Sequence, residues 1–220
     1  MPIPPSVLCP VDFSDASRGA LRYAAALAEH FYAGMTVLAV NDPFLADAAA
    51  AALGPAWMDQ HTQQALEKFV GEALPTRKPR LQELRMLVAT GQPANEILRV
   101  ARETEADVIV MSTHGVSGVR KMMFGSVTER VLRDTGIPVI VTPAGDAGPD
   151  SLEEWKTGLE AVLAPVDLSP WTPRQMRIAQ GLAEALDARL VVAWPPAAAL
   201  RGEGGSLTLA EGRTMSGEER

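Results

Sequence analysis

The run VIVMSTHGVSGVRKMMFGSVTERVLRDTGIPVIVT, residues 108–142, constrains the fold more than any other stretch. It opens on a short apolar segment, residues 108–111, and closes on another, residues 139–141. Continuous β-branched runs of this length are the pattern of strands buried on both faces, and the helix-length gap between them reads as a βαβ crossover. Within the gap Gly115 and Gly118 permit a tight turn and close approach of backbone to a ligand, and Arg120 and Lys121 add positive charge. Gly125-Ser126-Val127-Thr128 then opens the next helix, where unpaired amides can hold an anion.

The residues before this run repeat the alternation. Residues 7–11 read as a buried strand ending in Asp12-Phe13-Ser14, with Ser14 placed to cap the helix that follows. In that helix Leu21, Ala24, Leu27, Ala28 and Phe31 recur at spacings of three and four, and Gly34 is expected to stop it. Residues 35–40 give a second strand. The alanine-rich residues 46–53 fit either a helix or a loop, and residues 56–74 read as a helix ended by Pro75. Residues 84–88 supply a third strand, and Gly91-Gln92-Pro93 turns into a helix with Ile97, Leu98 and Ala101 facing inward. Strand and helix alternating over residues 7–142 predict an α/β fold, a doubly wound parallel sheet of five strands with right-handed crossovers.

A second, shorter pattern follows. Residues 144–158 are rich in glycine, proline and acid and read as a linker whose middle forms a short helical turn. Beyond it Val162-Leu163-Ala164-Pro165-Val166-Asp167-Leu168-Ser169 echoes Val7-Leu8-Cys9-Pro10-Val11-Asp12-Phe13-Ser14, and Leu182-Ala183-Glu184 echoes Leu27-Ala28-Glu29. The expected organisation is a complete domain over residues 1–143, a partial β-α-β repeat over residues 159–200, and a disordered tail over residues 201–220. Val162, Val166, Leu182, Leu186, Val191 and Trp194 then need cover, because one helix on two strands cannot close a core.

Composition excludes several classes of function. A net charge of -7 argues against nucleic acid or an anionic membrane as the main partner, so the partner is expected to be small. No segment reaches the roughly 18–20 consecutive apolar residues that span a bilayer. Cys9 is the single cysteine, so no intrachain disulfide forms and a cytoplasmic, reducing location is expected. His30, His61 and His114 lack helical spacing to one another and no second cysteine joins them, so no structural zinc site is expected. Motifs of P-loop, dinucleotide-binding, hydrolase-elbow and zincin type are absent.

The run at residues 108–142 resembles the nucleotide-binding signature of the universal stress protein family, G-x2-G-x9-G-[S/T]. Here it reads Ser112-x2-Gly115-x9-Gly125-Ser126, with serine in place of the first glycine. The resemblance implies sheet order 3-2-1-4-5 and an adenine nucleotide, ATP with Mg²⁺, as ligand. It places Asp12 on the ribose or on a metal-bound phosphate, and Pro10 and Val40 around the adenine. Gly115 and Gly125 would contact phosphate through their backbone and Ser126, Val127 and Thr128 would contact the phosphates, with Met111, Ser112 and Gly118 completing the set. It also implies a homodimer through the strand from Pro138 to Thr142. The function expected is a stress-response regulator or sensor and not an enzyme. A second reading is a dimeric interaction module of the same fold, with Ser112 disabling nucleotide binding; a third is a slow ATPase, for which no general base is identifiable.

Overall fold

The computed structural model describes residues 5–74, 83–113, 125–157, 160–166, 169–170, 172–194 and 208–212. They form two compact units that divide between Asp150 and Ser151. The first unit runs β1 (Ser6–Val11), α1 (Asp15–Phe31), β2 (Gly34–Asn41), α2 (Pro43–Leu53), α3 (Trp57–Ala73), β3 (Glu83–Thr90), α4 (Pro93–Glu103), β4 (Val108–Ser112), α5 (Ser126–Asp134) and β5 (Val139–Thr142). Its five strands lie in the order β3-β2-β1-β4-β5, every pair parallel, as expected.

Period-two alternation sends the two side-chain sets of each strand to opposite faces, and both faces are covered. Leu8, Leu38, Ile109 and Met111 pack with Ala94, Ile97, Val100 and Ala101 of α4 and Val131 of α5. The alternate residues Val7, Cys9, Val37 and Val110 are buried on the other face, where α1 lies against β1 and β4. Two-sided burial explains why β1 and β4 read as unbroken apolar runs. β3 stands at the edge, and its exposure alternates accordingly.

Helix ends follow local chemistry, with one departure. Ser14 caps α1 by accepting from the Ser17 amide, as expected. The left-handed position that ends α1 is taken by Tyr32 (φ 51°), whose amide reaches the carbonyls of Ala28 and Glu29, while Gly34 already belongs to β2. The expectation that Gly34 stops the helix is therefore corrected by two residues. The open alternative at residues 46–53 resolves to helix: Asp42 accepts from the amides of Phe44 and Leu45, and Pro43 occupies the first turn. Every residue of α2 stays at least partly exposed, Phe44 at 78%.

The expected linker over residues 144–158 divides at the unit boundary. Residues 143–150 are seated on α1 and belong to the first unit. Tyr23 donates to Asp146 (2.8 Å) and Arg22 pairs with Asp150 (2.9 Å). The short helical turn expected in its middle is α6 (Leu152–Lys156), capped by Ser151, which opens the second unit.

In the second unit β6 (Ala161–Pro165), α7 (Thr172–Ala185) and β7 (Arg189–Trp194) form a β-α-β unit with parallel strands. Val166, Ala183 and Leu186 are buried in it, whereas Leu163 is 58% exposed. Within the stretch expected to be a disordered tail, Thr208–Gly212 forms β8, antiparallel to β7. The physical reason is an open edge on β7, whose free N–H and C=O groups favour a short polar-apolar segment such as Thr208-Leu209-Ala210 as a partner.

Candidate functional site

The chain leaves β1 for β2 on one side and passes from β4 to β5 on the other, so the sheet order reverses between β1 and β4. A crevice forms outside the carboxyl ends of strands at such a point. Pro10 helps to open it. The Asp107 amide donates to the Ser6 carbonyl, so even-numbered residues of β1 turn their polar groups toward β4. Pro10 has no N–H to continue that ladder, and β1 pairs with β4 only through Val7 and Leu8 while its pairing with β2 runs on to Val11.

Asp12 stands just past β1, exposed, and its Oδ1 accepts from both the amide (3.2 Å) and the hydroxyl of Ser14. The carboxylate is thereby fixed at the entrance to α1, next to the residue that caps it. Across the crevice Ser112 ends β4, buried, and its carbonyl accepts from the buried Thr128 hydroxyl (2.9 Å). That bond ties the first turn of α5 to the tip of β4. The helix starts at Gly125, which carries no side chain to cap it, and the amides of Ser126, Val127 and Thr128 have no acceptor inside the helix. Three outward amides at the positive end of a helix dipole make an anion seat.

The remaining expected residues separate into two groups. Met111 is 5% exposed and its side chain belongs to the core under α4 and α5, so only its backbone reaches the strand tip; Val40 and Val127 pack partly on the same core. Gly115 and Gly118, with His114, Arg120 and Lys121, lie outside the described residues. Cys9, one position before Pro10, is fully buried, and burial pushes its thiol well above the ordinary range, which keeps it protonated and unreactive. Among the described residues no group of three or more His, Cys, Asp or Glu side chains is arranged to hold a metal by itself.

Sequence reasoning missed Thr113. Its amide donates to the Thr142 carbonyl (2.9 Å), its carbonyl accepts from the Gly125 amide (2.6 Å), and its hydroxyl accepts from the Ala144 amide (3.1 Å). A polar residue at a strand tip carries no periodic signal, so nothing in the pattern marked it. Gly19 was also missed, although a glycine inside a helix costs about 1 kcal/mol against alanine and so asks for a packing reason. A Cβ there would overlap the Asp146 carbonyl.

The universal stress protein family model matches residues 5–143. The chain belongs to the universal stress protein family. Among its relatives, universal stress protein MJ0531 of Methanocaldococcus jannaschii is 33% identical over 141 residues, covering 61% of this chain and 79% of that protein. Universal stress protein YxiE of Bacillus subtilis is 29% identical over 143 residues, covering 61% of this chain and 96% of its own length. Among solved structures, UspA from Lactobacillus plantarum superposes with a TM-score of 0.53 at 26% identity, over 63% of this chain and 97% of that one. A universal stress protein from Archaeoglobus fulgidus shares the fold more widely, with a TM-score of 0.57 at 22% identity over 84% of this chain and 63% of that one. Among the described residues no helix of this universal stress protein is long and apolar enough to cross a membrane.

Proposed function

We propose that the first unit binds an adenine nucleotide, ATP with Mg²⁺, in the crevice between the tips of β1 and β4, and that the protein serves as a cytoplasmic stress-response regulator and not as a turnover enzyme. The observation that carries this reading is the start of α5: a glycine N-cap held by Thr113, three amides without helical acceptors, and Thr128 bonded to the tip of β4. Phosphates would seat on the amides of Ser126, Val127 and Thr128. Asp12 on the neighbouring strand tip would face the ribose or the metal. A Mg²⁺ that arrives on phosphates needs only one or two protein carboxylates, and the single Asp12 fits that demand. Pro10, Val40, Met111 and Ser112 would line the base side through backbone and partly buried side chains, and the family resemblance adds Gly115 and Gly118, outside the described residues, to the phosphate contacts.

Dimerisation belongs to the same reading. Among the described residues β5 pairs with β4 alone, and Val139, Ile140 and Val141 are only half buried, so the strand from Pro138 to Thr142 offers a free edge to a second copy. The β6-α7-β7 unit is read as a partial second copy of β1-α1-β2. The direct test is mass spectrometry of small molecules released on denaturing the protein as purified. ATP or a related adenine nucleotide supports the proposal; its absence, with no thermal shift on adding Mg-ATP, favours the nucleotide-free interaction module.

A further inference from the structure

The segment that follows β5 is built into the first unit through contacts that also reach the crevice. One face of α1 forms its seat, with Gly19, Arg22 and Tyr23 at spacings of three and four. Gly19 leaves room for the Asp146 carbonyl, and Gly148, at φ 73°, lies so close to the Gly19 carbonyl that a Cβ there would also overlap. The Tyr23 hydroxyl donates to Asp146 Oδ2 (2.8 Å), and Asp146 Oδ1 accepts from the Gly148 amide (2.9 Å). Arg22 pairs with Asp150 (2.9 Å), reaches the carbonyls of Ala147 and Gly148, and donates from Nε to the Ala73 carbonyl at the end of α3. Pro149 is the one buried residue among residues 143–150, so the seat is held by polar contacts at the surface. Segments held in this way open at low cost in free energy.

Thr113 joins this seat to the crevice. Its carbonyl holds Gly125 at the start of α5, its hydroxyl holds Ala144, the first amide of the strap formed by residues 143–150, and its own amide is fixed to Thr142. We propose that residues 143–150 are a latch whose seating on α1 is linked to occupancy of the anion seat, with Thr113 as the positioning residue shared by both. The proposal rests on the nucleotide reading of the crevice. A phosphate drawing Gly125 into place fixes Thr113, and a fixed Thr113 presents its hydroxyl to Ala144. Linkage is reciprocal: whatever factor the ligand contributes to seating the strap, the seated strap contributes to ligand affinity. The strap leads directly into Ser151, so its release would alter the tether of the second unit.

The experiment uses the full chain with Mg-ATP as the probe, and reads amide hydrogen exchange of residues 143–150 together with Mg-ATP affinity. In the wild type, Mg-ATP should slow exchange of the strap by about 5-fold or more, the lower end of typical coupling. Tyr23→Phe and Gly19→Ala should each speed strap exchange and weaken Mg-ATP binding, by no more than the factor by which Mg-ATP slows strap exchange in the wild type. Thr113→Val should still bind Mg-ATP but lose the slowing of strap exchange, and Thr113→Ser, which keeps the hydroxyl, should recover it. Tyr23→Phe and the two Thr113 variants leave Gly19 intact, so the test stands if Gly19→Ala does not fold. Mg-ATP binding to the wild type without any change in strap exchange overturns the latch alone, as does equal slowing in Thr113→Val and Thr113→Ser. No Mg-ATP binding by the wild type overturns the crevice reading and the latch with it.

Discussion

Tyr32 occupies the left-handed position after α1 at φ 51° with its side chain 76% exposed. A side chain there costs about 1 kcal/mol that glycine avoids, so Tyr32→Gly should raise unfolding free energy by about 0.5–1 kcal/mol, measured by urea titration. Cys9 yields a pH prediction with a definite sign. Burial raises its folded pKa, while in the unfolded chain the thiol titrates near about 8.5. The stabilisation from the neutral buried thiol is complete below that pH and is lost above it, at about 1.4 kcal/mol per unit. Between pH 7 and pH 10 the wild type should therefore lose about 2 kcal/mol more than Cys9→Ala, by the same titration. At this scale the sequence was readable where a residue acts on its own neighbours: Ser14 caps as its type and place predict. Thr113 was unreadable, because its three partners lie on β5, α5 and the strap, and only the folded sheet brings them together.

The elements were legible wherever burial imposes a period. β1 and β4 are buried on both faces and show it as unbroken apolar runs, and α1 shows its inward stripe at spacings of three and four. The strap is different. It has one buried residue and binds α1 through carbonyls, two aspartates and one glycine, so its sequence resembles any flexible linker. The one mark it leaves is Gly19, in the middle of the helix it sits on. On an open helix face Gly→Ala gains about 1 kcal/mol, but here the added Cβ meets backbone, which costs about 1–3 kcal/mol. Gly19→Ala should accordingly destabilise by up to about 2 kcal/mol in urea, and a stabilisation would show the strap to be loose. β8 escaped sequence reading because its pairing is created by the free edge of β7, a demand that lies outside the segment itself.

At the level of the whole molecule, one complete α/β unit places its strand tips, a helix start and a carboxylate around a crevice, while among the described residues nothing pairs with the outer edge of β5. Pairing through that edge predicts twice the chain mass of 23.4 kDa by light scattering, and a monomer at micromolar concentration contradicts it. The crevice was legible as strand order and helix start, and its inner bonds were not, since the carbonyl of Ser112 and the hydroxyl of Thr128 meet only after the crossover closes. Calorimetric titration of nucleotide-free protein with Mg-ATP tests the central claim most directly, in the wild type and in Asp12→Ala. One site per chain, with binding weakened at least 10-fold by Asp12→Ala, or about 1.4 kcal/mol, is the expected result. No heat and no saturation in the wild type, under conditions where it remains folded, would contradict the nucleotide account.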